Sequence, residues 1–173
     1  MNKKGYSIFL AGALLSGCAP MPQNAEEFRK TIGAGGSGTS FETYEVNRPY
    51  SKVAATLKTK AKECLDAKVV VTECVNRSCQ SYDTYYLPTL VSGTNKTELH
   101  VQWKMVPDKT NFANGKPPAS GLYIAVADAV PVGNGKTRMS VYGMSRTFGM
   151  VPEAIKHWAN GTNMGCPNLS RDQ

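Results

Sequence analysis

The chain has 173 residues, with 20 Lys and Arg against 13 Asp and Glu and a formal net charge of +7. That length supplies one domain with a single core and leaves no comfortable room for two. The lysines are scattered, and no basic stripe is interleaved with aromatics, which argues against nucleic acid; a mildly basic surface remains, whose functional reading is attraction to anionic lipid, polysaccharide or peptidoglycan.

Lys3 and Lys4 precede a short apolar run from Gly5 to Leu15, which closes on Leu15-Ser16-Gly17-Cys18. Spanning a bilayer takes roughly 20 apolar residues. A run this short, interrupted by Ser7, Gly12 and Ser16, reads as a targeting segment instead. A conventional secretory signal is the rival, because Ala11, Gly12 and Ala13 also suit its peptidase. The last four residues resemble the lipobox of bacterial lipoproteins, in which signal peptidase II cuts before a cysteine diacylated on sulfur. The resemblance implies a signal peptide over 1–17, lipid on Cys18, a further fatty acid on the new amino terminus, and the bilayer as first partner. Burying acyl chains at about 0.8 kcal/mol per CH2 makes such an anchor effectively permanent. Ala19 stands where Asp would retain an enteric lipoprotein, so the resemblance further implies the outer membrane, with the body facing the periplasm.

Residues 18–40 read as an acylated tether: Pro20 and Pro22, a polar stretch with Glu26, Glu27, Arg29 and Lys30, then Gly33-Ala34-Gly35-Gly36-Ser37-Gly38. These glycines superficially resemble a phosphate-binding loop, but they follow no predicted strand and open no helix. The body is expected over 41–173. Alternation over Phe41 to Val46 predicts a strand, and Arg48-Pro49 introduces a helix whose Val53, Leu57, Ala61, Cys64 and Leu65 recur at three- and four-residue spacing. Lys52, Lys58, Lys60 and Lys62 occupy its other faces. Lys68 to Cys74 and Cys79 to Leu87 predict a hairpin, with Tyr82, Thr84 and Tyr86 on one face of its second strand. Thr97, Leu99, Val101, Trp103 and Met105 alternate with Glu98, His100, Gln102 and Lys104, as a half-buried strand requires. A long polar loop with Phe112 as its one large apolar residue follows between Pro107 and Ser120. The apolar run Gly121 to Val130 and the strand Thr137 to Tyr142 are joined by a turn at Pro131 to Lys136. Gly135-Lys136-Thr137 imitates the end of a Walker A motif, but Val130 stands where its first glycine belongs. Asp128 is the buried-acid candidate, with Arg138 diagonally across as its expected partner. Pro152-Glu153 opens a last helix with Val151, Ile155, Trp158 and Ala159 on one face, and Asn160-Gly161 closes it.

Besides Cys18 there are four cysteines, an even number suited to two disulfides in an oxidising compartment, and three connectivities are open. The hairpin-sized loop Val75-Asn76-Arg77-Ser78 favours Cys74–Cys79, which leaves Cys64–Cys166 to tie the first helix of the body to the tail. Zinc sites use matched short Cys or His pairs, whereas His100 and His157 are isolated, so no metal and no cofactor are expected.

Taken in order, these elements predict an α+β domain: an antiparallel sheet of about five to six strands packed by two helices on one face. The arrangement resembles the helix-grip and related curved sheets of some accessory lipoproteins of outer-membrane assembly. From Glu26-Glu27-Phe28-Arg29 through Trp158 to Gly165-Cys166-Pro167, the body also resembles lipoproteins of proteobacterial envelopes, a likeness that brings no activity with it. Catalysis is not expected, since neither histidine sits in a triad motif and the acids are dispersed. Two roles remain. One is an interaction or structural module that holds an envelope protein by a sheet edge, the 107–120 loop or the lysine-rich helix. The other is a binder of a lipid or small apolar ligand, in a pocket lined by Tyr82, Tyr86, Trp103 and Trp158.

Overall fold

The computed structural model describes residues 20–107 and 115–170. The alternating runs become six strands: β1 (Thr39–Val46), β2 (Ala67–Val75), β3 (Ser78–Ser92), β4 (Thr97–Val106), β5 (Leu122–Pro131) and β6 (Thr137–Met144). They form one open antiparallel sheet in the order β1-β6-β5-β4-β3-β2. The helices are α1 (Ala25–Gly33), α2 (Tyr50–Cys64), the single turn α3 (Ser145–Phe148) and α4 (Met150–Asn160). The α+β class and the two helices α2 and α4 on one face are as the periodicity predicts.

On that face Val53, Leu57 and Ala61 of α2 and Val151, Ala154, Ile155 and Trp158 of α4 meet Leu99, Val101, Ala125, Ala127, Ala129, Met139 and Val141 of the central strands. Each is at most 3 % exposed. Burying one large aliphatic or aromatic side chain contributes about 1.5–3 kcal/mol, so this layer is the main source of stability. The three alanines of β5 keep its surface low where the helices cross. Where the pairing of β4 with β5 slips between Val101 and Gln102, Ile124 is the extra residue of a bulge, and both Ile124 and Ala125 are fully buried.

Local chemistry sets the ends of the elements. Pro49 stands at the N-cap of α2, one position before the helix. Gly161 ends α4 at φ 79°, and the Arg48 guanidinium donates to the carbonyls of Trp158 and Ala159 at 2.8 and 2.7 Å, a cation placed on the negative end of the helix. The β2–β3 hairpin turns on two residues, Asn76 and Arg77, both left-handed at φ 50° and 66°. Such a turn favours glycine at its second position, and Arg77 takes that strain with the Cys74–Cys79 bond one residue pair behind it.

Gly143 lies where α4 crosses β6. A Cβ there would overlap the ring of Pro152 and press on Ser40 Oγ at 3.3 Å. Gly143→Ala is therefore expected to lower stability by about 2 kcal/mol through overpacking, measured by urea unfolding; an unchanged midpoint would show that α4 shifts freely on the sheet.

The tether expected over 18–40 is corrected by the structure. Within it α1 is folded and packs on the sheet face opposite α2 and α4, with Ala25, Phe28 and Ile32 buried against Val126 and flanked by Tyr123, Tyr142 and Met144. The domain thus begins well before Phe41.

Candidate functional site

The lipobox and Cys18 lie outside the described residues, as does most of the polar loop with Phe112. The other four cysteines form the two expected bonds, Cys74–Cys79 and Cys64–Cys166, with Cα atoms 4.0 and 4.9 Å apart. The second fastens the tail beside α2. There Leu169 is buried, its carbonyl accepts the Tyr86 hydroxyl at 3.1 Å, and the Trp158 indole donates to the Met164 carbonyl at 3.3 Å.

The four aromatic residues expected to line a pocket do not enclose one, and Tyr82 stands apart from the other three. Tyr86, Trp103 and Trp158 are all within the packed core. Phe148 of α3 fills the space between two of them, with ring centroids 5.7 Å from Trp103 and 6.5 Å from Tyr86. Tyr82 stands on the part of β3 that extends past the end of β4 and donates to Glu73 at 2.6 Å. Hollows form elsewhere, beside α1. One cleft of about 210 Å3 is lined by Pro20, Met21, Pro22, Phe28, Ile32, Leu122, Tyr123 and Met144 with two threonines. A neighbouring groove of about 470 Å3 shares Pro20, Pro22 and Thr31 and adds Glu27, Lys30, Ala34 and Gly35.

The densest polar cluster also belongs to this second face. Glu98 of β4 and Asp128 of β5 are directly opposed across the ladder, two like charges side by side. Arg29 of α1 bridges them, bonded to Glu98 and to Asp128 Oδ1 at 2.6 Å. Lys96 adds contacts at 3.0 Å to Glu98 and 3.5 Å to Asp128, and His100 Nε2 lies 3.0 Å from Glu98 Oε2. The partner expected for Asp128, Arg138, is diagonal in register but pairs with Glu45 at 3.1 Å. Partial burial pushes the Glu98 carboxyl up, and the hydrogen bonds from His100, Arg29 and Lys96 outweigh that and lower it to about 2. Burial lowers the Arg29 guanidinium, and its bonds to Asp128 and Glu98 outweigh that and raise it above its usual range. A carboxylate held so low is ionised at neutral pH, with its lone pairs occupied, and is neither a proton donor nor a useful base. The cluster acts as a latch that holds α1 on the sheet. Among the described residues no group of three His, Cys, Asp or Glu side chains is placed to hold a metal ion.

Arg29 and Phe28 are the residues sequence reasoning left in the tether, although a local signal marks them. Asn24 caps α1 by accepting from Glu27 N at 2.9 Å, and the Glu27 carboxylate in turn accepts from Asn24 Nδ2 and Gln23 N, each at 2.8 Å. Asn24-x-x-Glu27 followed by Phe28 and Ile32 is a capping box ahead of an i, i+4 apolar pair.

Among the described residues four large apolar side chains are conspicuously exposed: Phe41 (49 %), Val70 (61 %), Val91 (50 %) and Val106 (42 %). By strand alternation and register all four point to the second face, and α1 packs there on β6, β1 and β5. The β2–β3–β4 half keeps Val70, Val91 and Val106 open among half-buried Tyr85 and Leu87 and exposed Thr72 and Thr89. Its charges there include the pair Lys68–Asp83, at 2.7 Å.

No protein-family model matches the chain, and no curated protein is similar to it. Among solved structures it is similar to a conserved protein from Geobacillus kaustophilus, with a TM-score of 0.34 and 12 % identity over 70 % of this chain and 89 % of that one. Protein Ms6760 from Mycobacterium smegmatis gives a TM-score of 0.34 and 10 % identity over 72 % and 87 %.

Proposed function

We propose that this chain is a lipid-anchored envelope protein, attached through acylated Cys18 to the periplasmic side of the outer membrane, and that it works as a non-catalytic module binding another protein. The observation that carries the binding role is the exposure of Val70, Val91 and Val106, beside half-buried Tyr85 and Leu87, on the β2–β3–β4 half of the sheet face that α1 leaves uncovered. Single apolar residues are ordinary on a surface, but several on the uncovered half of one sheet face mark a candidate interface. Tyr85 among aliphatic residues, with Lys68 and Asp83 paired to each other, fits the charge-depleted, aromatic-bearing centre of a protein interface and suits a partner with an equally uncharged surface. The lipobox resemblance and two disulfides suited to an oxidising compartment support the envelope location.

The ligand-binding alternative has less support. Small-molecule sites typically enclose about 300–1,000 Å3. The apolar cleft beside α1, at about 210 Å3, is below that range, while the larger groove is lined by Glu27, Lys30 and the end of a helix.

The test is in-cell photocrosslinking of the lipidated protein with a crosslinking residue at Val70 or Val91, and at Lys58 on the lysine-rich helix as control. The expected result is one discrete protein adduct at the first two positions and none at the third. With the crosslinking residue at Val70, Val91→Lys with Val106→Lys should abolish it while leaving stability within about 0.5 kcal/mol, since both positions are exposed. An adduct confined to Lys58 would sink the face assignment. No adduct at any position, with a small molecule extracted from the purified protein, would favour the ligand reading.

A further inference from the structure

We propose that one end of the domain, where the chain enters beside the Gly33–Gly38 loop, lies against an anionic phospholipid surface, so that the protein sits on its membrane instead of standing off from it. The inference rests on the lipid-anchor reading of Cys18. Only Ala19 separates that cysteine from Pro20, and two extended residues span about 7 Å at most. Pro20 and Pro22 are already seated against α1 at Thr31, in both hollows that flank the helix. With α1 folded and latched through Arg29, no length of free chain remains to act as a spacer.

The surface around this entry point has the character a headgroup layer selects. Lys30, Lys116 and Arg146 are exposed. The structure brings all three to this end: Lys30 lines the groove, the Lys116 backbone carbonyl accepts from Gln23 at 3.0 Å, and Arg146 packs under Gly38, whose carbonyl accepts from Ser145 N at 2.9 Å. Each basic residue near an anionic leaflet contributes favourably within a Debye length. Glu27 is the acid in the groove; it accepts from Gln23 N and Asn24 Nδ2 and keeps its charge, and with exposed Glu26 it leaves the three cations in excess by one. The apolar cleft with Met21, Phe28 and Met144 lies at the same end, suited to the boundary between headgroups and acyl chains. The β5–β6 turn at Gly133 to Lys136 marks the opposite end of the sheet, about 24 Å away along β6 at roughly 3.4 Å per residue.

The test uses the full acylated chain in vesicles of phosphatidylethanolamine and phosphatidylglycerol, with a fluorophore on a single added cysteine, Ser37→Cys or Lys136→Cys, and a headgroup-nitroxide lipid as quencher. Quenching at position 37 is expected to exceed that at position 136 at least threefold. Charge reversal of Lys30, Lys116 and Arg146 to Glu should halve the quenching at 37 and leave flotation unchanged. Equal quenching at the two positions in a protein that floats and carries the acyl mass would overturn the proposal while the lipid-anchor reading stands. Quenching at 37 that ignores the charge reversal would overturn the choice of an anionic surface. A mature chain with no acyl mass that does not float would remove the anchor reading and this proposal with it.

Discussion

Replacing Cys64 and Cys166 together by alanine is expected to lower the free energy of unfolding by about 4.7 kcal/mol, the effect of freeing a loop of about 100 residues in the chain-entropy model. The sequence separation is 102, against 5 for Cys74–Cys79, and the same relation gives only about 2 kcal/mol for the short loop. Since domains of this size are stable by about 5–15 kcal/mol, the first loss removes a large share and the second a small one. The sites differ as well. Cys64 is buried at the end of α2, and its bond holds a tail whose Leu169 and Met164 carbonyls accept the Tyr86 hydroxyl and the Trp158 indole. Cys74 and Cys79 sit on an exposed two-stranded ribbon beyond the end of β4. Urea unfolding of both double variants, with hydrogen exchange over residues 162–170, checks the ranking. An equal or larger loss from Cys74 and Cys79 would mean that the ribbon, and not the tail, is built into the core.

The sequence makes the core face of the sheet legible because that face is written in a single period. Leu99, Val101 and Trp103 alternate with polar residues, and the helix residues Val53, Leu57 and Ala61 recur every four, so both partners of the buried layer announce themselves. The disulfides are legible for a similar reason: a two-residue turn places Cys74 opposite Cys79, and elimination does the rest. The pocket was not. Alternation puts Tyr86 and Trp103 on one face, but whether the space between them is hollow depends on Phe148, in a single helical turn with no periodic signal of its own. The latch was hidden by distance. Arg29 and Asp128 are 99 residues apart, and strand register can place Asp128 beside Glu98 without revealing which helix crosses above them. Placing α1 in a glycine-rich tether removed the cation that answers both acids.

Replacing Arg29 by methionine, which keeps most of the apolar stem, is expected to lower stability by about 2 kcal/mol at pH 7, in line with losing hydrogen bonds between charged groups that are only partly buried. The side chains of Arg29, Glu98 and Asp128 are 19 %, 23 % and 13 % exposed, so solvent screens the cluster in part and the loss stays below that of a fully buried pair. What remains is two opposed carboxylates with Lys96 as their cation, and hydrogen exchange should rise first in α1, whose other anchors are Phe28 and Ile32. The dependence on pH separates a latch from simple packing. Glu98 is held near 2 in the folded protein against an ordinary 4.5. Because its folded value is depressed, the stabilisation is fully present above pH 4.5 and is lost as pH falls through 2, since the folded and unfolded states then bind the proton equally. The gap between the native protein and Arg29→Met should therefore be widest at neutral pH and shrink steadily between pH 4.5 and 2, as the guanidinium loses the charge it was bridging. Urea midpoints for the two proteins at pH 7, 4.5, 3 and 2 measure it. A gap that stays constant down to pH 2 would mean that Arg29 holds α1 by the contacts of its stem, and that the two acids have another means of sharing one place on the sheet.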